Sequence, residues 1–272
     1  MDSLVSTDWL AHRLGADGLV ILDASKHLPE EGRDARGEFA SGHIPGARFL
    51  DMPSLHDPEA AVVNTLPPPA MLAERLAALG VTPASRIVLY DDSRIRSAAR
   101  AWFILREAGF GNVAVLDGGL EKWRREGRAL ESGLPDQASA APHALREPAR
   151  VASLGELLGP DGRPARQIVD ARDRERFEDG HIPGSRHLWF TDLFAADGTY
   201  NPAAALRAQF ESAGLDLSRP VVTSCNSGMT ACVVLFALHL AGAQDAALYD
   251  GSWQEWGNDP ATPKATGAPE RA

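Results

Sequence analysis

The chain repeats itself, and that constrains its fold more than any other feature. "ASGHIPGARFLD" (40 to 51) returns as "EDGHIPGSRHLW" (178 to 189), each following an apolar strand that ends in Asp, "LVILDAS" and "RQIVDAR". At a constant offset of 133 residues, "VLYDDSRIRSAARAWFILREAGFGNVAVLDGGLEKW" (88 to 123) aligns without a gap on "VVTSCNSGMTACVVLFALHLAGAQDAALYDGSWQEW" (221 to 256). Ala108-Gly109 meets Ala241-Gly242, Asp117-Gly118 meets Asp250-Gly251, and Trp123 meets Trp256. Self-similarity of this length implies two copies of one domain. Between them "ESGLPDQASAAPHALREP" lacks periodicity and is rich in Pro, Ser and Ala, so it reads as an exposed linker with the boundary near residue 142.

Within each copy, brief β-branched runs alternate with segments of helical length. "RIVLY" and "PVVTS" suit strands buried on both faces, whereas "SAARAWFILREAG" and "TACVVLFALHLAG" run for helical lengths and stop at Gly. Strands alternating with helices imply an α/β domain built on a mainly parallel sheet. In such sheets, ligands bind outside the carboxyl ends of the strands, where loops lead into helix starts.

The 272 residues, with 44% hydrophobic and 24% charged content, fit two ordinary globular domains. No apolar stretch reaches membrane-spanning length, and "MDSLVSTDWLAHRL" lacks the basic-then-apolar pattern of an export signal. A formal net charge of -10 argues against nucleic acid as a partner. Two cysteines cannot build a disulfide framework, which makes a reducing, cytoplasmic setting the default expectation.

Both cysteines lie in "SCNSGMTAC" (224 to 232). Cys225 directly follows the "PVVTS" strand and precedes a helix. Backbone N–H groups of C-N-S-G-M-T can converge there, with Gly228 free to take positive φ, and such a nest over a helix start stabilises a thiolate or a bound anion. The thiolate is the nucleophilic form of cysteine. The competing reading is a small buried residue at the end of a core strand. Cys232, about 10 Å further along the helix, is too far to bridge to Cys225 and has core-like flanks.

A phosphatase would resemble C-x5-R, with arginine clamping the phosphate, but position 231 is Ala. His43 and His181 sit in the two GHIPG turns, where Gly and Pro set the chain direction, and a structural role suits His181. His43 has a second reading, since the first copy can present its loop to the cysteine of the second. Asp92 stands at the position of Cys225 in the first copy, so only the second copy is expected to be catalytic, with the first supplying a cleft wall.

Together, the tandem GHIPG turns, the cysteine loop in the second copy alone, "LDGGLEKW" closing the first, and "GRDARGEF" (32 to 39) resemble the two-domain rhodanese superfamily of sulfurtransferases, and within it the mercaptopyruvate and thiosulfate branch. The resemblance covers nearly the whole chain apart from the linker and the last dozen residues. It implies an α/β fold of two tandem rhodanese-like domains (1–141 and 142–272), each a mainly parallel sheet flanked by helices. It also implies a persulfide carried on Cys225. Thiosulfate enzymes of the family typically have basic residues after the cysteine, and mercaptopyruvate enzymes resemble C-G-S-G-V-T. This chain has Asn226, Ser227, Gly228, Met229 and Thr230, without a cation, which favours 3-mercaptopyruvate as donor.

Asn226 for Gly and Met229 for Val are departures from that pattern, and a shortened "DRERFED" separates Arg172 from Gly180. By the resemblance, Arg172 and Arg176 hold the substrate carboxylate, and Arg174 is left to solvent. Ser227, positioned by His43 and Asp34, is expected to relay a proton to the departing enolate. A small thiol, thioredoxin or cyanide would then accept the sulfur. No metal or organic cofactor is expected, nor a membrane partner, and the default oligomeric state is a monomer. The alternatives are a thiosulfate:cyanide sulfurtransferase and a non-catalytic sulfur-binding or redox-sensing module.

Overall fold

A computed structural model describes residues 1–135, 139–159, 164 and 166–269. The chain forms two compact units. Met1–His56, Pro67–Pro148 and Ala196–Thr199 make the first; Asp57–Leu66, Ala149–Ala195 and Tyr200–Ala272 make the second. Short segments are therefore exchanged relative to sequence order, and Asp57–Leu66 belongs with the second unit.

In the first unit the order is β1 (Leu4–Val5), α1 (Thr7–Ala11), β2 (Leu19–Asp23), α2 (Ala35–Ser41), β3 (Ala47–Phe49), α3 (Pro69–Ala78), β4 (Arg86–Tyr90), α4 (Ala98–Glu107), β5 (Val113–Leu116) and α5 (Gly119–Arg125). The second repeats it: β6 (Val151–Ala152), α6 (Leu154–Leu157), β7 (Gln167–Asp170), α7 (Arg174–Asp179), β8 (Arg186–His187), α8 (Ala203–Ser212), β9 (Val221–Ser224), α9 (Ala231–Leu240), β10 (Ala246–Tyr249) and α10 (Ser252–Trp256). The two sheets run β1-β5-β4-β2-β3 and β6-β10-β9-β7-β8. Every pairing in both is parallel.

The central strand runs are mainly apolar, as suits sheets covered by helices on both faces. All four residues of β9 and of β10 are buried. Helix α9 is buried along Ala231–Leu238, so it needs no polar face and carries none. Trp123 and Trp256, the tryptophans paired by the repeat, are buried to 1% and 0% exposure. Their indole N–H groups donate to the carbonyls of Ala129 (2.8 Å) and Pro263 (2.7 Å). Each large ring removes apolar area worth on the order of 4 kcal/mol from water while its one polar atom stays paired.

Candidate active site

Strand β9 ends at Ser224 and delivers Cys225 to the carboxyl end of the second sheet, 2% exposed. The chain then turns through Gly228, at φ +76°, into Thr230, which precedes α9. A side chain at that φ is strained, so glycine makes the turn possible.

The loop is held from below by α10. The Trp253 N–H donates to the Cys225 carbonyl (3.0 Å) and the Gln254 N–H to the Asn226 carbonyl (2.9 Å). Ser252 is fully buried, and its Oγ accepts from both the Cys225 and Gly228 N–H groups at 3.1 Å while donating to the Tyr249 carbonyl at 2.8 Å. One hydroxyl thus fixes both ends of the Cys225–Gly228 turn. Among the described residues, the backbone N–H groups of Asn226, Ser227, Met229 and Thr230 have no acceptor, and these remain to meet an anion.

Sequence reasoning passed over Ser252. Its only local mark is the "DGS" that replaces "DGG" of the first copy. Ser252 has φ +52° and its counterpart Gly119 has φ +58°, so both copies need the left-handed conformation. At Gly119 a Cβ would meet the Asp91 carbonyl at 2.5 Å, which makes glycine obligatory there.

Asn64 was equally invisible. It lies in the segment that joins the second unit, with φ +61°, and its Nδ2 donates to Ser227 Oγ at 3.1 Å. Two residues on, the Leu66 N–H donates to Asp250 Oδ2 at 2.7 Å, tying the same segment to a residue two places before α10.

The other expected residues divide clearly. Cys225, Asn226, Ser227, Gly228, Met229 and Thr230 form one loop, but the Met229 side chain is buried at 7% exposure, so of the two departures only Asn226 is exposed. Cys232 is fully buried, and its thiol donates to the Gly228 carbonyl at 3.2 Å, which gives it a packing and bracing role.

Arg172, expected to hold a substrate carboxylate, is engaged by groups of its own unit. Its Nε lies 3.0 Å from Asp170 Oδ1, and its Nη2 donates to Asp170 Oδ2 and to the Gly180 carbonyl, each at 2.7 Å. The guanidinium sits 4.9 Å from the centre of the Trp253 ring. The side chain is 5% exposed and locks β7 to the GHIPG turn and α10. Arg176, on α7, is 66% exposed, with only a long 3.6 Å approach to Asp173, and is the arginine of the pair open to a ligand. Arg174 is equally exposed and pairs with Glu178 at 3.1 Å.

Asp34 and His43 belong to the first unit. Asp34 caps α2 by accepting the Arg36 N–H at 3.1 Å. His43 is 2% exposed, with Nδ1 at 2.9 Å from the Phe39 carbonyl and its ring stacked on Phe39 at 4.1 Å. His181 repeats this on Phe177, at 2.9 Å and 3.9 Å. A carbonyl can only accept, so in both rings Nδ1 is the donor. The two histidines therefore share one turn-fixing role.

Asp92, at the position of Cys225, is clamped by Arg33 (3.0 Å) and Arg124 (2.9 Å), so the equivalent loop of the first unit is closed by internal ion pairs. Among the described residues no group of three His, Cys, Asp or Glu is placed to hold a metal, and no helix is long and apolar enough to cross a membrane.

A thiol at a strand end above a helix start, in only one of two copies of a parallel-sheet unit, fits the class of cysteine-dependent group-transfer proteins. The model of the Rhodanese-like domain matches residues 6–126 and again 153–259. The chain belongs to that family, as a two-domain sulfurtransferase of the rhodanese type. It is 38% identical over 271 residues to the 3-mercaptopyruvate sulfurtransferase of Homo sapiens, covering 93% of this chain and 91% of that one. It is 35% identical over 270 residues to the thiosulfate sulfurtransferase of Gallus gallus, covering 93% of each. The crystal structure of a 3-mercaptopyruvate sulfotransferase from Escherichia coli superposes with a TM-score of 0.86 at 34% identity, covering 93% of this chain and 99% of that one.

Proposed function

We propose that the protein moves a sulfane sulfur from 3-mercaptopyruvate, through a persulfide on Cys225, to a thiol or cyanide acceptor. The Cys225 thiolate attacks the donor sulfur and forms the S–S bond. The C–S bond breaks with its electron pair moving to carbon, so the enolate of pyruvate departs and takes up the proton that the donor thiol carried. The persulfide anion that remains passes its outer sulfur to the acceptor and restores the Cys225 thiolate.

The observation that carries this reading is the division of loop amides. Ser252 satisfies those of Cys225 and Gly228, while those of Asn226, Ser227, Met229 and Thr230 are open to a sulfur anion. Ser227, two residues after Cys225 and oriented by Asn64, is proposed as the proton carrier. Arg176 is proposed to engage the donor carboxylate.

The loop from Cys225 to Thr230 contains no Lys or Arg, which supports a carboxylate donor over dianionic thiosulfate, the donor of the second reading. Thiosulfate stays a reading because the chain resembles enzymes named for each donor. Purified protein assayed with both donors decides: pyruvate release with 3-mercaptopyruvate should exceed thiosulfate turnover. Cys225→Ser should release no pyruvate, and mass spectrometry should find one extra sulfur atom on Cys225 of the native chain after donor treatment. Equal pyruvate release by Cys225→Ser would overturn the mechanism.

A further inference from the structure

The first unit holds a cavity of about 510 Å³ with no part in the chemistry above. It lies between β3, the turn that follows it, and the carboxyl end of α3, and its apolar floor includes Phe39, Phe49, Leu55 and Leu79. Three arginines, Arg36, Arg48 and Arg75, line it against a single carboxylate, Asp51. Such a surplus of guanidinium groups is unusual in a chain whose net charge is -10.

Structural duties account for one of the three. Arg48 donates to the carbonyl of Leu79 at the end of α3. Arg36 lies 6.0 Å from the centre of the Phe49 ring, at the outer limit of a cation–π contact. Among the described residues, neither Arg36 nor Arg75 pairs with an acidic side chain.

The repeat supplies an internal comparison. The second unit has a cavity at the corresponding place, also about 510 Å³. There Arg174 replaces Arg36 but is paired with Glu178, Gln209 replaces Arg75, and His187 replaces Phe49. The shape recurs, and Trp189 gives the second cavity an aromatic wall of its own, while the pair of arginines without an acidic partner belongs to the first copy among the described residues.

We infer that the cavity of the first unit is a binding site for a small organic anion with a flat apolar body, such as an aryl carboxylate or sulfonate. Arg36 and Arg75 receive the anionic group, and Phe39, Phe49 and Leu55 receive the body. Guanidinium groups pair with carboxylates and sulfonates through two parallel N–H donors, and an adjoining apolar floor excludes neutral polar solutes.

The test titrates the full chain with 8-anilinonaphthalene-1-sulfonate at low salt, by fluorescence and calorimetry, beside the uncharged N-phenyl-1-naphthylamine. Saturable one-to-one binding of the sulfonate is expected. Arg36→Gln combined with Arg75→Gln should weaken it at least about 10-fold. Ala78→Trp, which fills the cavity mouth without removing a charge, should also weaken it, and Arg174→Gln should leave it unchanged. Near-UV circular dichroism verifies that each variant is folded. Absence of saturable binding, equal affinity for the uncharged compound, or the same loss in Arg174→Gln as in the double variant would each sink the inference.

Discussion

Asn64 donates its side-chain amide to the hydroxyl of Ser227 across 163 positions of sequence, at 3.1 Å. The residue two places after the cysteine is therefore oriented by a segment that precedes α3 yet belongs to the second compact unit. Asn64→Gly keeps the left-handed backbone and removes only the amide. We expect persulfide formation to slow about 5- to 10-fold, the equivalent of one net hydrogen bond, with an unchanged melting temperature. Single-turnover pyruvate release measures it, and an unaltered rate would remove Asn64 from the site.

Ser252 makes a sharper case, because one buried hydroxyl satisfies two backbone donors. Replacing it by Ala removes the hydroxyl that accepts from the Cys225 and Gly228 N–H groups, at a cost of about 2 to 4 kcal/mol in stability. Replacing it by Gly removes the same acceptor but relieves the positive φ, so urea unfolding should rank wild type above Ser252→Gly above Ser252→Ala. Both variants should form persulfide more slowly.

Arg172 and Arg176 are expected to separate in opposite ways. Arg172→Gln leaves the Asp170 carboxylate buried without its counter-charge, which destabilises by about 3 to 5 kcal/mol. Arg176→Gln should leave stability within about 0.5 kcal/mol and raise KM for 3-mercaptopyruvate several-fold, because the side chain is exposed. Chemical denaturation paired with steady-state kinetics distinguishes them; a large stability loss in the Arg176 variant would contradict its assignment as a ligand.

Asp23, the counterpart of Asp170, has Ser25 where Arg172 stands in the second copy. Burial pushes its carboxyl up from 3.8 to about 6, partly offset by hydrogen bonds from Ser25 and Tyr90. The folded chain thus keeps this proton to higher pH than the unfolded chain does. The contribution to stability is full below about pH 4 and falls as pH rises towards 6, by on the order of 3 kcal/mol. Asp23→Asn keeps the acceptor for the Ser25 N–H (2.9 Å) and should flatten the decline between pH 4 and 6 in urea unfolding. An equally steep decline in the variant would assign it to other groups.

Much of the architecture was legible in the residues. The 133-residue offset announced two copies, the β-branched runs announced parallel strands covered on both faces, and the place of Cys225 after "PVVTS" put it at a strand's carboxyl end. These features are local or repeated, so a linear reading captures them. Arg172 shows where that reading stopped. "DAR" places an arginine beside the site, but whether it faces substrate or a buried partner depends on the carboxylate of Asp170, the carbonyl of Gly180 and the ring of Trp253 converging on it.

The sequence by itself determined the repeated α/β units, the family, and which copy carries a cysteine at the strand end, because chain periodicity and the identity of one residue, Cys225 against Asp92, decide those. The tertiary structure alone decided that Ser252 and Asn64 hold the loop, that Met229 is core, that Arg172 meets Asp170, Gly180 and Trp253, and that the first copy has a cationic cavity. Each of these depends on hydrogen bonds or charges meeting between distant parts of the chain, and the cost of burying a polar group unpaired is set by that meeting and not by the residue's neighbours in sequence.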